Sequence, residues 1–321
     1  MLAGITIKLT ETGMTRARVE WARWAGDLDG PRFAEFQAQL SGHNARRFRP
    51  GLPEEATSDE LATDERVARA EIEMVEALRR AVAPLTAEIP ADPDGFIAWF
   101  EQLKHTGPGQ GDPLFPWLAT TAGIEQMRWF LFQEVAGEAG FEDLLAMTQV
   151  KMPVQAKLEM ARNFWDEMGR GSGKGMHGPM LERLAGFFQL SPTPQTVVPE
   201  ALALGNTMIA LARHRRYAFH SVGALGVIEM TAPGRAALVD AALRRLRIPA
   251  KKRLYFAVHA VLDVKHSEAW NAEVLHSLVA EDPRRARAIG EGAVIRLWHG
   301  ARSFERYRCE LGLASIQSEA A

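Results

Sequence analysis

The sequence predicts an all-α protein, and three observations carry the expectation. Ala, Leu, Glu, Arg and Met dominate, while continuous β-branched runs are missing. Apolar residues recur at helical spacing in almost every segment. Gly and Pro punctuation falls between those segments, at 106–113, 169–175, 191–194 and 233–234. No repeat period is visible.

Taken in order, residues 1–113 read as an N-terminal accessory helical region. It holds a long helix from about Asp59 to Val82 whose first half is highly charged. The Gly/Pro-rich stretch at 106–113 is the boundary. Residues 114–321 read as the main helical domain, more apolar and carrying every polar residue of chemical interest. The accessory region is expected to pack on that domain or on a second subunit. A length of 321 residues suits one large domain or two modest ones, and 47% hydrophobic residues support a full core. A formal net charge of −2 suggests no polyanion partner, so nucleic acid is not expected. The basic groups Arg244-Arg245 and Lys251-Lys252-Arg253 read as solvated helix faces. The single cysteine, Cys309, excludes an intramolecular disulfide and a multi-cysteine zinc site, and is expected to be inert. The first thirty residues lack a signal-peptide pattern, and no uncharged apolar run reaches bilayer length. The expectation is a soluble cytoplasmic protein with no membrane partner.

The chemistry concentrates in His259-x3-Asp263-x2-His266. Offsets of 0, +4 and +7 fall on one helical stripe, within about 60° of each other. Two imidazoles and a carboxylate on one stripe are the donor set of a non-haem iron or similar transition-metal site. Tyr255, Phe256 and Trp270 lie along this face and predict that it points inward. Three more carboxylates, Glu134, Glu167 and Glu229, occupy otherwise apolar helix faces. Singly, each is better explained by an arginine partner or a helix cap. His177 opens a helix after the Gly-rich connection that follows Glu167, and the tight turn could return it to that carboxylate. The rival readings of this stretch are a capping histidine or phosphate binding by the glycines. The latter is weak, because no strand precedes the loop and the P-loop consensus is absent. If Glu134, Glu167, Glu229 and Asp263 converge, their four charges repel by roughly 4 kcal/mol per pair at ~4 Å and an effective dielectric near 20. Two divalent cations would balance them, as in dinuclear carboxylate sites of helical bundles. Glu273-x-x-His276 matches a ferritin-like spacing but has no second copy, and reads as a surface coincidence.

As a set, these residues resemble the haem-oxygenase-like di-iron oxidases and oxygenases, the iron-containing redox enzymes. The matching stretches are Asn163-Phe-Trp-Asp-Glu-Met-Gly-Arg-Gly through Met176-His177, Gly223-Ala-Leu-Gly-Val-Ile-Glu229, and His259-Ala-Val-Leu-Asp263-Val-Lys-His266. The resemblance covers roughly residues 120–300. It implies a seven-helix haem-oxygenase-like bundle that binds two Fe ions (Fe2+/Fe3+) and not haem, with O2 as co-substrate and an external electron donor. By this resemblance His177, Glu229, His259, Asp263 and His266 are iron ligands. Glu134 is the ligand from the first core helix, with Glu138 and Glu142, one and two turns on, as alternatives. Glu167 is an additional carboxylate able to shift its binding mode, as in N-oxygenating members. The implied activity is oxygenation of an amine nitrogen, or alternatively desaturation or C–C cleavage of a fatty or amino acid. A homodimer is implied by the same likeness.

Other classes stay open at this stage. A mononuclear iron enzyme needs only His259, Asp263 and His266 and leaves the three glutamates unexplained. A haem pocket is disfavoured by the carboxylates. A non-catalytic helical scaffold would neutralise the acidic residues with Arg128, Arg162, Arg213 and Arg215. Phe164, Trp165, Phe219 and Trp270 flank the candidate ligands and are the expected walls of a substrate pocket.

Overall fold

A computed structural model describes residues 20–52, 58–137 and 140–313, and among these residues there is no strand. The N-terminal region forms α1 (Phe33–Arg47), α2 (Ser58–Val82) and α3 (Pro93–Thr106). The helix expected from about 59 to 82 is α2. Asp92 starts α3 by accepting a hydrogen bond from the Gly95 amide at 2.7 Å, with Pro93 in the first turn. The 106–113 stretch then turns the chain into α4 (Leu114–Thr120), α5 (Ile124–Gly137), α6 (Phe141–Thr148), α7 (Val154–Glu167) and α8 (His177–Phe188). The remaining helices are α9 (Pro199–Arg213), α10 (Ala218–Arg245), α11 (Leu254–Ala269), a π turn (Trp270–Leu275), α12 (His276–Glu281) and α13 (Arg285–Glu310).

The bundle is organised around α10, which packs mainly on α13 and α11. Small residues permit the closest approach. A Cβ on Gly223 would lie 1.8 Å from the Ile289 carbonyl oxygen, and one on Gly292 would lie 1.9 Å from that of His220. The two backbones touch reciprocally, one glycine from each helix.

Residues of α1 and α2, including Phe36, Leu40, Val67 and Met74, enter the same hydrophobic core as Val222 and Leu225 of α10 and Ile289 of α13. Two buried carboxylates also tie these helices to the bundle. Glu71 of α2, fully buried, meets Arg47, Arg213 at 3.1 Å and His214 at 2.8 Å. Glu291 of α13 accepts from Arg79 at 2.7 Å and Arg287 at 2.9 Å, with the His220 ring 3.2 Å away. A buried carboxylate is tolerated only with such partners.

By length and composition Arg215–Arg245 would also qualify as a membrane-crossing helix. That differs from the expectation of no such run. The physical reason for its apolarity is position: α10 lies between the other core helices and most of its residues are buried.

Candidate metal centre

The site assembles where α7, α8, α10 and α11 face one another. Glu167 is the last residue of α7 and His177 the first of α8. The intervening loop closes back on itself at Gly169, where φ is +59° and a Cβ would lie 2.3 Å from the Gly175 carbonyl carbon. Only glycine fits both the left-handed conformation and the contact. The reversal brings His177 Nδ1 to 2.7 Å from Glu167 Oε2.

Glu229 projects from the middle of α10. Its Oε2 lies 3.4 Å from His266 Nδ1, and its Oε1 accepts a hydrogen bond from Asn163 Nδ2 at 2.7 Å. His259 stacks edge-on against His177 with ring centroids 4.5 Å apart. The donor atoms therefore fall into two triads, Glu167/His177/His259 and Glu167/Glu229/His266, each with all its atoms within 4.8 Å of one another. Glu167 belongs to both. Asp263 is buried on the same helix as the two histidines and lines the adjoining cavity with Glu167, Glu229 and His259, but is in neither triad.

Surrounding groups orient the rings. His266 Nε2 lies 3.1 Å from Asp166 Oδ2, and Arg170 Nε donates to the other Asp166 oxygen at 2.6 Å. His259 Nδ1 is 2.7 Å from the Tyr255 carbonyl oxygen. A carboxylate or a backbone carbonyl on the outward ring nitrogen fixes the tautomer and leaves the inward nitrogen to accept a metal.

The electrostatics follow from burial and from the closeness of the carboxylates and rings. Burial, reinforced by the charge of Glu229, holds the Glu167 carboxyl well above the usual range. Burial, then the neighbouring His177, lowers His259 to about 4, and burial likewise lowers His177. Those two rings are neutral, the form that binds metals. Burial opposes the charge on His266, but Glu229 and Asp166 outweigh it and raise that ring to about 9. The arginines that could have neutralised the cluster are used elsewhere. Arg128 donates to the Phe188 carbonyl, Arg162 pairs with Glu159, Arg213 with Glu71, and Arg215 binds carbonyls of α6 and the turn after it.

Glu134 stands apart from the histidines. It lies across the cavity in the field of Arg235 and Arg296, hydrogen-bonded to Tyr307, and burial raises its carboxyl above the ordinary range against the pull of both arginines. Glu142 is the acidic residue of this region near the triads. Its charge acts on both Glu167 and His177, and its Oε1 would lie 3.0 Å from a Cβ on Gly178. The reason is a helix break. Gly140, at φ +71°, stops α5 from continuing into α6, so Glu134 and Glu142 do not share a face. Glu138 lies outside the described residues.

The expected pocket walls also need correction. The cavity beside the cluster, of about 150 Å³, is lined by Phe115, Phe141, Tyr255, Phe256, Phe304 and Tyr307, and by none of Phe164, Trp165, Phe219 or Trp270. Trp165 is 54% exposed, Trp270 is sealed in the core, Phe164 packs against that core, and Phe219 packs there under Arg285. Glu273 and His276 bond to Gln155 and Asp94 at the surface, away from the cluster.

In this all-α bundle two His/carboxylate triads, buried except for the half-buried His259, lie beside a largely apolar cavity, an arrangement that could hold metal ions next to a small molecule. The donor set, nitrogen and carboxylate oxygen without thiolate, suits iron. A family model for iron-containing redox enzymes, of the haem-oxygenase-like kind, matches residues 128–301, more than half of the chain. The chain belongs to that family of iron-dependent oxidoreductases. No curated relative matches the chain.

Proposed function

We propose that the protein is an O2-dependent, non-haem di-iron oxygenase that oxygenates the nitrogen of a small amine held in the cavity. The observation that carries this reading is the pair of triads sharing Glu167. Two donor sets with a common carboxylate suit two adjacent cations better than one. Glu142, Glu167, Glu229 and Asp263 supply four negative charges, which two divalent ions balance. In this reading the first triad, Glu167, His177 and His259, and the second, Glu167, Glu229 and His266, would hold the ions, and Glu142 would take the position first expected of Glu134. Asp263, on the cavity side, completes the set.

Iron bound by these residues would supply electrons for O2 activation, and an external donor would restore them. The chain's residues do the rest. Asn163 and Asp166 fix Glu229 and His266. The apolar lining keeps water from the reacting centre. Glu167, Asp263 and His259 face the cavity, so a substrate nitrogen there lies beside the ligands. Four carboxylates with three histidines make seven candidate ligands, the richer pattern that the family resemblance links to N-oxygenation.

The test is anaerobic ferrous titration followed by O2 uptake with an amine panel. We expect saturation at two equivalents of iron and amine-dependent O2 consumption yielding hydroxylamine or nitroso products. Saturation at one equivalent would replace the di-iron reading with a mononuclear site, and a Soret band on haem addition would replace both with a haem pocket.

A further inference from the structure

The cavity has a second polar end. Arg235 lies on α10 six residues beyond Glu229, about 9 Å along the helix axis. Its guanidinium lines the same cavity as Glu167, Glu229 and Asp263. It is held between two rings, 5.9 Å from the centroid of Phe115 and 5.5 Å from that of Phe304. One of its five donors is used, by Nη2 to Thr231 Oγ1 at 3.1 Å. Among the described residues Arg235 forms no ion pair. Burial lowers it to about 10, the charge of Arg296 adds to this and Glu134 opposes it, so it remains a cation at neutral pH. The charged groups around it are Glu134, turned toward Tyr307, Arg296 on α13, and Glu200 beyond Tyr307. Ser303 adds a hydroxyl lining the same cavity that is 2% exposed and has no hydrogen-bond partner.

Arg235 feels the charge of Glu134 without being ion-paired to it, and only one of its hydrogen bonds goes to a side chain, so it can still accept a ligand carboxylate. Its planar fork matches a carboxylate with two parallel bonds. We infer that Arg235, with Ser303, is the carboxylate-binding end of the substrate cavity, so that the substrate is a small acid whose other end reaches the metal cluster. Given the proposed N-oxygenation, on which this step rests for its reacting end, the substrate class is an amino acid with amine and carboxylate separated by an apolar spacer. The walls between, which include Leu144, Leu181, Ile228 and Val239, suit methylene groups.

The test uses metal-free protein, so it is independent of the iron count. Hexanoate, hexanamide and hexylamine are titrated calorimetrically into the wild type, Arg235→Gln, Arg235→Lys and Ser303→Ala. We expect hexanoate to bind the wild type at least about tenfold tighter than hexanamide, as a charge-assisted bidentate pair requires. Arg235→Gln should abolish that preference, Arg235→Lys should keep part of it, and Ser303→Ala should weaken hexanoate about threefold and hexanamide less. Equal binding of acid and amide by the wild type overturns the assignment. So does undiminished hexanoate binding by folded Arg235→Gln with loss in His266→Gln, which would put the anion on the protonated histidine. If Arg235→Gln does not fold, Ser303→Ala decides: equal losses for acid and amide refute the site.

Discussion

Replacing Gly223 by alanine tests the packing that sets the position of Glu229. The new methyl carbon would stand 1.8 Å from the Ile289 carbonyl oxygen, where ordinary contact begins at 3.4 Å. The shortfall is 1.6 Å (3.4 less 1.8), and the obstacle is helix backbone with no side chain to swing away. The reciprocal contact of Gly292 with His220 prevents α13 from pivoting around the clash. Overpacking a core costs about 1–3 kcal/mol, and an immovable neighbour puts this case at the upper end or beyond. Alanine recovers at most about 1 kcal/mol of helix propensity. The net expectation is a loss of about 2–3 kcal/mol, read as a lower urea midpoint at unchanged slope. Gly186→Ala is the matched control. Its Cβ would meet nothing within 4 Å, so it should gain up to about 1 kcal/mol. Iron affinity should fall in Gly223→Ala and stay constant in Gly186→Ala. A Gly223→Ala protein within about 0.5 kcal/mol of wild type would refute the backbone contact between α10 and α13.

Three further outcomes follow from the site and its supports. Glu167→Ala should remove both iron equivalents in a metal count, since both triads depend on it; retention of one full equivalent would mean the carboxylate is not shared. Asp166→Asn should leave the stoichiometry unchanged but weaken iron binding about 10- to 100-fold in a chelator competition, the usual effect of losing the partner on a ligand's outward nitrogen. Burial opposes the charge of Glu291, but His220, Arg79 and Arg287 outweigh it and hold the group down to about 2. The folded value lies below the unfolded one, so the stabilisation is complete above about pH 5 and is lost as pH falls toward 2. It amounts to about 3 kcal/mol at neutral pH, and Glu291→Gln should flatten that part of the stability–pH curve.

What could be read from the sequence, and what could not, separates along physical lines. The His259–Asp263–His266 stripe was legible because it lies within one helix, where offsets map directly onto a face. The return of His177 to Glu167 is readable because glycine tolerates the left-handed backbone and the close chain approach that a tight reversal needs, as at Gly169. Which of Glu134 and Glu142 lies near the histidines is not legible, because the sequence does not show that the left-handed Gly140 puts the two on different helices. Trp165 shows a second failure. At two residues before Glu167 it lies about 160° around the helix, so nearness in sequence put it on the opposite surface. Phe115, Phe304 and Tyr307, which line the cavity, come from α4 and α13, which no local pattern connects to the candidate ligands.

Arg235 combines both difficulties and shows why the cavity's second end was invisible. On an ideal helix an offset of six places it about 120° from Glu229, which argues for different surroundings. Pro233 stands between them and removes the amide that would have bonded the Glu229 carbonyl, loosening the helix at that point. Both side chains nevertheless line one cavity, because α4 and α13 fold over the C-terminal half of α10 and enclose the guanidinium between Phe115 and Phe304. A single long helix thus presents a carboxylate to the candidate metal centre and a cation to the opposite end of the same space. That polarity, negative ligands at one end and a held guanidinium at the other, constrains a substrate more tightly than the size of the cavity does. A neutral or purely cationic molecule would leave Arg235 without the bidentate pairing that a carboxylate provides.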